Sequence, residues 1–340
     1  MKRRACLAVL LALAAGPVQA QGVSGAGSTL AFPVLARWSQ AFQRSQTDTE
    51  YQPVGAGLEY EPIGSQAGIM RLRDGAADFG ATDAPLGPEE LGQAYAQFPV
   101  VIGGVVVAVR IEGVASGQLR LTGEALAEIY AGRIRTWSDP ALRALNPGLA
   151  LPDAPIAVLR RSDGSGTTAT FTNYLSKSSP QWRASVGEGL VVAWPTGSAA
   201  KGNDGMAEAV QRTPNAIGYV DYTQAQRAGL AHALLRNREG AFVAPTVDGF
   251  RAAAASAGWG VAAGPDVMLT DAAGPGAYPI VATTYIVMRR SGGRASRAVL
   301  AFFRWSLDNG APAASALGYV PLPPALVEQV KTYWDVTFRG

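Results

Sequence analysis

Hydrophobic positions along this chain fall into two spacings, and the two alternate. Leu35, Trp38 and Phe42 recur at i, i+3 and i+7, which is one face of a helix, and Pro33 suits its first turn. LEYEPIGSQAGIMRL reads as a strand, a turn at Gly64-Ser65, then a helix carrying Ile69 and Leu72. ADFGATDAPL reads as a short strand ending in a loop at Thr82-Asp83. FPVVIGGVVVAVRI is apolar almost throughout and predicts a buried strand with a break at Gly103-Gly104. Thr122 caps a helix bearing Leu126, Ile129 and Tyr130. IAVLRR, AIGYVDY and YPIVATTYIVM predict further strands, and helices over about 295–307 and 325–334 close the chain. Strands alternating with helices predict an α/β fold with largely parallel sheets. Tyr51–Gly55 imperfectly repeats Tyr60–Gly64, and no longer repeat is visible. No polar linker marks a simple boundary, which fits two lobes joined by strands that cross between them more than once.

The first twenty residues change the charge reading. Lys2, Arg3 and Arg4 precede an apolar stretch from Ala5 to Ala15, broken by Gly16-Pro17. Val18-Gln19-Ala20 is a small-residue cleavage pattern, so the segment reads as a secretory signal peptide cleaved after Ala20, too short to span a membrane. No small-residue box precedes Cys6, so a lipid anchor is not expected. The chain holds 29 Lys and Arg against 26 Asp and Glu; the leader takes three of the basic residues and leaves 26 against 26. That balance gives no support to a nucleic-acid partner or a basic membrane-facing patch. The single cysteine leaves with the leader, so the exported chain is held by its core alone, and its length favours two domains. One histidine and no remaining cysteine argue against a metal centre.

Three strand-to-helix turns share one design: Gly25–Leu30, Gly64–Gly68 and Asp163–Thr167. Each combines small residues with a hydroxyl where the first helical N–H groups lack partners. Such helix starts attract anions through free N–H donors and the positive end of the dipole. Ordinary N-capping explains any one of these turns. Three together, one flanked by Arg161 and Asp163, favour an oxyanion site. Arg161 would supply a fixed, fork-shaped cation that Asp163 holds in place; the alternative is a surface ion pair.

Asp83 does not fit a simple anion site, because a carboxylate repels an anion. It fits if the anion carries a proton for Asp83 to accept, as phosphate does near neutral pH and sulfate does not. A solvated loop residue or a cap before Pro85 reads equally well.

These residues carry a family likeness. GAGSTLAFPV, ADFGATDAPL, QFPVVIGGVVVAV, LNPGLALP, RRSDGSGTTATFTNYL and KGNDGMAEAVQRTPNAIGYVDY, in order over almost the whole exported chain, resemble the periplasmic phosphate-binding protein of the phosphate-specific ABC transporter. The resemblance implies a type II periplasmic-binding-protein fold, each lobe a mainly parallel sheet flanked by helices. Lobe 1 would be 21–102 with 273–340, lobe 2 would be 103–272, and the two would close by a hinge on one phosphate ion. Carried over by position, Thr29, Leu30 (through its backbone N–H) and Ser65 would donate to phosphate, and Asp83 would accept its proton. Arg161 would pair with the anion, Asp163 would steady Arg161, and Ser165, Gly166 and Thr167 would donate at the third helix start. The resemblance further implies a membrane permease and its cytoplasmic ATPase as partners, no cofactor, no catalysis and a monomer. Two departures stand out: Leu30 replaces the family's usual aromatic residue, and Tyr51–Gly57 reads as an insertion. Ser65 is preferred to Gly55-Ala56 in the second turn because it brings a hydroxyl.

Other readings compete with this one. Ser198-Ala-Ala-Lys201 matches a serine-hydrolase pattern, but its companion motifs are absent. His232 lies in GLAHALL without a nucleophile elbow anywhere in the chain. The same fold could instead take sulfate, molybdate or a phosphonate, or serve as a surface scaffold. Trp305 and Trp334 read as core, and Arg289, Arg290 and Arg294 as a solvated turn.

Overall fold

The computed structural model describes residues 22–47, 57–259, 268–291 and 293–338. The expected leader with Cys6 and the Tyr51–Gly55 repeat lie outside these residues. In chain order the strands are β1 (Val23–Gly27), β2 (Leu58–Glu61), β3 (Phe79–Thr82), β4 (Tyr95–Arg110), β5 (Arg120–Leu121) and β6 (Ala157–Arg161). They continue with β7 (Ser198–Ala200), β8 (Ala216–Asp221), β9 (Ala231–His232), β10 (Leu234–Arg236), β11 (Phe242–Val243) and β12 (Val281–Arg289).

One curled sheet runs through the molecule in the order β2-β1-β3-β12-β4-β8-β6-β7, with β9 on the side of β4; β11, β10 and β5 form a smaller sheet. Its outer strands are parallel, as βαβ connections require: β1 with β2 and β3, and β6 with β7 and β8. Its centre differs from the largely parallel expectation. β12 is antiparallel to both β3 and β4, and β4 is antiparallel to β8. The reason is topological. β4 carries the chain out of the first lobe, and β12 brings it back beside β4.

β4 is the element the two lobes share. From Tyr95 to Gly104 it pairs with β12, and from Val105 to Arg110 it pairs with β8. The Gly103-Gly104 step expected as a break is continuous strand, and it is where β4 exchanges partners. Every residue from Ala96 to Val109 is buried, which is why this run is apolar without alternation.

Each lobe has its own aromatic packing. The helix Arg294–Asn309 buries Val299, Phe302, Phe303 and Ser306, one stripe at helical spacing. Phe303 meets Phe79 and Phe98 edge-on at 5.2 and 5.8 Å, and Trp334 meets Phe98 at 4.8 Å. Trp334 is core as expected, and Trp305 is half-buried with an edge contact to Phe42. In the second lobe Phe171 stacks on Tyr219 at 4.3 Å, with Tyr130 and Trp194 around them. Burying one such ring contributes about 1.5–3 kcal/mol.

Arg289 and Arg290 are not a solvated turn. Arg289 donates to the carbonyls of Leu72 (3.1 Å) and Arg73 (3.0 Å), at the C-terminus of the helix Ser65–Arg73, and Arg290 donates to Tyr95 O at 2.8 Å. A cation there meets the last carbonyls of the helix and the negative end of its dipole.

Candidate functional site

The three small-residue turns meet at one seam between the lobes. β1 ends at Gly27 and delivers Ser28, Thr29 and Leu30; the helix Ser65–Arg73 starts beside it; β3 ends at Thr82 and delivers Asp83. From the other lobe come the end of β6 at Arg161, the start of the helix Gly166–Ser178 and the start of the helix Gly202–Arg212. The faces touch directly. Gly166 N donates to Ser65 Oγ at 3.0 Å, and Gln66 N donates to Gly164 O at 3.1 Å.

Two glycines make this approach possible. Gly64 has φ 97°, and a Cβ there would lie 2.7 Å from Asp163 Oδ2. A Cβ at Gly166 would lie 2.5 Å from Ser65 Oγ and 2.7 Å from Asp83 N. Neither position has room for a side chain.

Four hydroxyls of the seam, those of Ser65, Thr29, Thr167 and Ser165, share one polarity. Ser65 Oγ accepts the Gly166 N–H. Thr29 Oγ1 accepts from Asn203 Nδ2 at 2.9 Å, and Thr167 Oγ1 accepts from the same nitrogen at 3.3 Å. Ser165 Oγ accepts the Thr168 N–H at 3.2 Å as the cap of its helix. A hydroxyl has one proton to give, and none of these bonds uses it. Each oxygen already receives an N–H, which polarises its own O–H as a donor. The capping alternative therefore holds for Ser165 and is compatible with ligand donation. The helix at Ser65 has no side-chain cap, because Gly64 stands at its cap position.

Arg161 is the cation of the seam and is 2 % exposed. Its Nε donates to Asp163 Oδ1 at 2.7 Å, and Nη2 donates to Asp163 Oδ2, so the pair is bidentate. The reading of a surface ion pair does not apply to a guanidinium this deep. Burial raises the Asp163 carboxyl, but the hydrogen bonds and charge of Arg161 and the Gly202 N–H outweigh it, and the net shift is downward. Tyr219 supports Arg161 from behind: its hydroxyl accepts the Arg161 N–H at 3.1 Å and meets Thr168 Oγ1 at 2.7 Å. Burial lifts the Tyr219 phenol to about 12, so it stays protonated.

Asp83 has the opposite surroundings. It is fully buried, not a solvated loop residue. Ser28 Oγ lies 2.7 Å from both of its carboxylate oxygens, and Thr284 Oγ1 donates to Oδ1 at 2.7 Å. Burial raises the Asp83 carboxyl, while the Ser28 and Thr284 hydrogen bonds and the Arg161 charge oppose that rise. Leu30 is also fully buried, and its carbonyl accepts from Tyr319 Oη at 2.6 Å.

The sequence residues Thr29, Leu30, Ser65, Asp83, Arg161, Asp163, Ser165, Gly166 and Thr167 are thus brought to one seam. Sequence reasoning missed Ser28, Thr284, Asn203 and Tyr219. Thr283-Thr284 interrupts an otherwise apolar strand, which was a usable signal, and Asn203 lies in the KGNDG stretch already noted. The hydrolase-pattern residues are both exposed, Ser198 on β7 and Lys201 just before the helix Gly202–Arg212. His232 is half-buried, with Nδ1 2.8 Å from Ser116 Oγ. Among the described residues no cluster of three potential metal ligands occurs, and no helix is long and apolar enough to cross a membrane.

A two-lobed α/β chain with helix starts, hydroxyls and one arginine converging between the lobes is a solute receptor of the periplasmic-binding-protein type. Residues 14–309 match the PBP superfamily domain. The phosphate-binding protein PstS of Xylella fastidiosa is 43% identical over 320 residues, covering 93% of this chain and 86% of that one. That of Pasteurella multocida is 41% identical over 342 residues, covering 100% and 97%. The chain belongs to this family of phosphate-binding proteins. Solved structures with a similar fold include a putative phosphate ABC transporter substrate-binding protein with bound phosphate from Clostridium perfringens. Its TM-score is 0.64 at 19% identity, with 89% and 100% of the two chains covered. The ancestral soluble variant of the human phosphate binding protein gives a TM-score of 0.69 at 20% identity, with 92% and 93% covered.

Proposed function

We propose that this chain binds one inorganic phosphate ion in the seam between its lobes and delivers it to a membrane ABC permease, whose ATPase works on the cytoplasmic side. The observation that carries the reading is the shared polarity of the Ser65, Thr29, Thr167 and Ser165 hydroxyls. Each accepts an N–H and keeps its proton to give, beside a buried arginine. Thr29, Leu30 N–H, Ser65, Ser165, Gly166 and Thr167 would be the donors, Arg161 the charge, and Asp163 its anchor. Asp83 accepts the proton that phosphate retains. With two carboxylates near one guanidinium, the site gains little from net charge, and affinity comes from many oriented donors.

The exchange of partners along β4 at Gly104 and Val105 supports a division into 21–102 with 273–340 and 103–272. The leader pattern ending at Ala20 supports export and work in the periplasm. The hydroxyls that face a carboxylate here, Ser28 and Thr284, brace Asp83 as an acceptor, and the role we propose is binding without catalysis.

A second reading keeps the fold and changes the ion to sulfate, molybdate or a phosphonate. Asp83 argues against an anion without a proton, since two facing lone pairs would be buried together. Calorimetric titration of ligand-stripped protein with phosphate and, separately, with sulfate near neutral pH tests both. Tight one-to-one binding of phosphate alone is expected. Binding of sulfate as tightly would remove the role of Asp83, and binding of neither would remove the function.

A further inference from the structure

Asn203 is buried in the first turn of the helix Gly202–Arg212, and it works in two directions. Its Nδ2 donates to Thr29 Oγ1 at 2.9 Å and to Thr167 Oγ1 at 3.3 Å. Its Oδ1 accepts from Arg161 Nη1 and from the Asp221 N–H, both at 3.3 Å. The partners fix the amide orientation. A guanidinium and a backbone N–H can only donate, so the oxygen faces them, and the nitrogen faces the hydroxyls. Those four bonds satisfy the amide completely.

The partners belong to different lobes. Thr29 follows β1, whereas Thr167, Arg161 and Asp221 lie across the seam. Next door, Gly202 N donates to Asp163 Oδ1 at 3.0 Å, so one helix start holds both members of the buried ion pair. A single side chain therefore links a bond that exists only when the lobes meet to the pose of the guanidinium.

We propose that Asn203 is a positioning residue that couples lobe closure to the charge of the site: its amide latches Thr29 across the seam while its carbonyl holds Arg161 towards the anion. This rests on the phosphate reading above. Opening breaks the Asn203–Thr29 bond, while Arg161 stays held within its own lobe by Asp163 and Asn203, so Asn203 governs the release of phosphate more than its capture. Its bond to Thr29 also leaves that hydroxyl proton pointing to the anion.

Release can be read by loading the full exported chain with radiolabelled phosphate and chasing with excess unlabelled phosphate; equilibrium dialysis gives the affinity. Asn203→Ala is expected to release phosphate about ten- to a hundredfold faster, the effect of one or two buried hydrogen bonds, with association little changed. Preference for phosphate over sulfate should persist, because Asp83 is untouched. Asn203→Asp has the same shape and suits a first helical turn, so it carries the test if the alanine variant does not fold. Its carboxylate turns the Thr29 and Thr167 protons away from the anion, and release should again be faster. A role in folding alone would lower the melting temperature of the ligand-free protein without accelerating release, and would overturn the latch. Release at the wild-type rate in both variants would overturn it too, with phosphate binding intact. A wild-type protein that retains no phosphate would remove the functional reading and the latch with it.

Discussion

The Ser28 hydroxyl lies 2.7 Å from both carboxylate oxygens of Asp83. One hydroxyl thus bridges the acid, and Thr284 reinforces it from β12. The acceptor of the seam is held as firmly as its donors, although burial works against its charge. The proposed role of Asp83 makes selectivity between oxyanions depend on this arrangement.

Asp83→Asn replaces an acceptor with a group that can donate. Sulfate, with no proton, should gain affinity by about ten- to a hundredfold, the range expected when a buried lone-pair clash becomes a hydrogen bond. Phosphate should change less. Paired calorimetric titrations with the two ions check this, and an unchanged ratio would take Asp83 out of the selectivity.

Gly166→Ala adds a methyl group 2.5 Å from Ser65 Oγ and 2.7 Å from Asp83 N. The atoms in the way belong to the opposite lobe, so each lobe can still fold while closure is blocked. The closed form should lose about 1–3 kcal/mol, the usual cost of overpacking, and phosphate affinity should fall accordingly. Scattering at saturating phosphate should show a more open particle than wild type. Wild-type affinity in this variant would mean that the seam is not the ligand site.

Arg161→Lys keeps the charge and loses the fork. Lysine cannot reproduce the bidentate contact with Asp163 together with the bond to Asn203. Phosphate affinity should drop at least about tenfold, one buried charge-assisted bond or more. Circular dichroism should show a folded protein. Retained affinity would show that a point charge is enough.

Asp221 gives a pH signature. Burial lifts its carboxyl from 3.8 to about 7, with Asp204 and Asp83 adding to the rise and the Gln224 N–H and Arg161 opposing it. The folded chain therefore holds this proton more tightly than the unfolded chain. Its contribution to stability is full below the ordinary value and is lost as pH rises through about 7. Asp221→Asn keeps an oxygen for the Gln224 N–H, which caps the helix Tyr222–Arg227. The variant should melt higher than wild type above pH 7, and the gap should narrow towards the ordinary carboxylate value. A gap that does not change with pH would exclude Asp221 as its source.

Much of the fold was legible in the sequence. The stripe on the helix Arg294–Asn309, the Thr122 cap (3.2 Å to Ala125 N) and the wholly apolar β4 are local patterns with local causes. The direction of the central strands was not legible. It depends on where the chain returns to the sheet, and residues 281–289 read the same in either direction. The site divides in the same way. Turns that are rich in glycine and hydroxyls identify themselves, so Thr29, Ser65 and Ser165 to Thr167 could be named. Ser28 could not be told from Thr29, because which of two adjacent hydroxyls meets Asp83 depends on how β1 and β3 end beside each other. Thr284 acts 201 residues from its partner, and no spacing rule reaches that far.

By itself the sequence determined the elements, their buried faces, and a supply of hydroxyls and glycines at three helix starts, because propensity, periodicity and capping are decided within a few residues. Only the tertiary structure decided polarity. It gave the seam hydroxyls N–H donors, left their protons to give, and set Ser28 and Thr284 the other way against Asp83. A hydroxyl can donate or accept, and its choice is made by the group placed opposite it. That group comes from the other lobe or a distant strand, and is fixed only when the sheet has assembled.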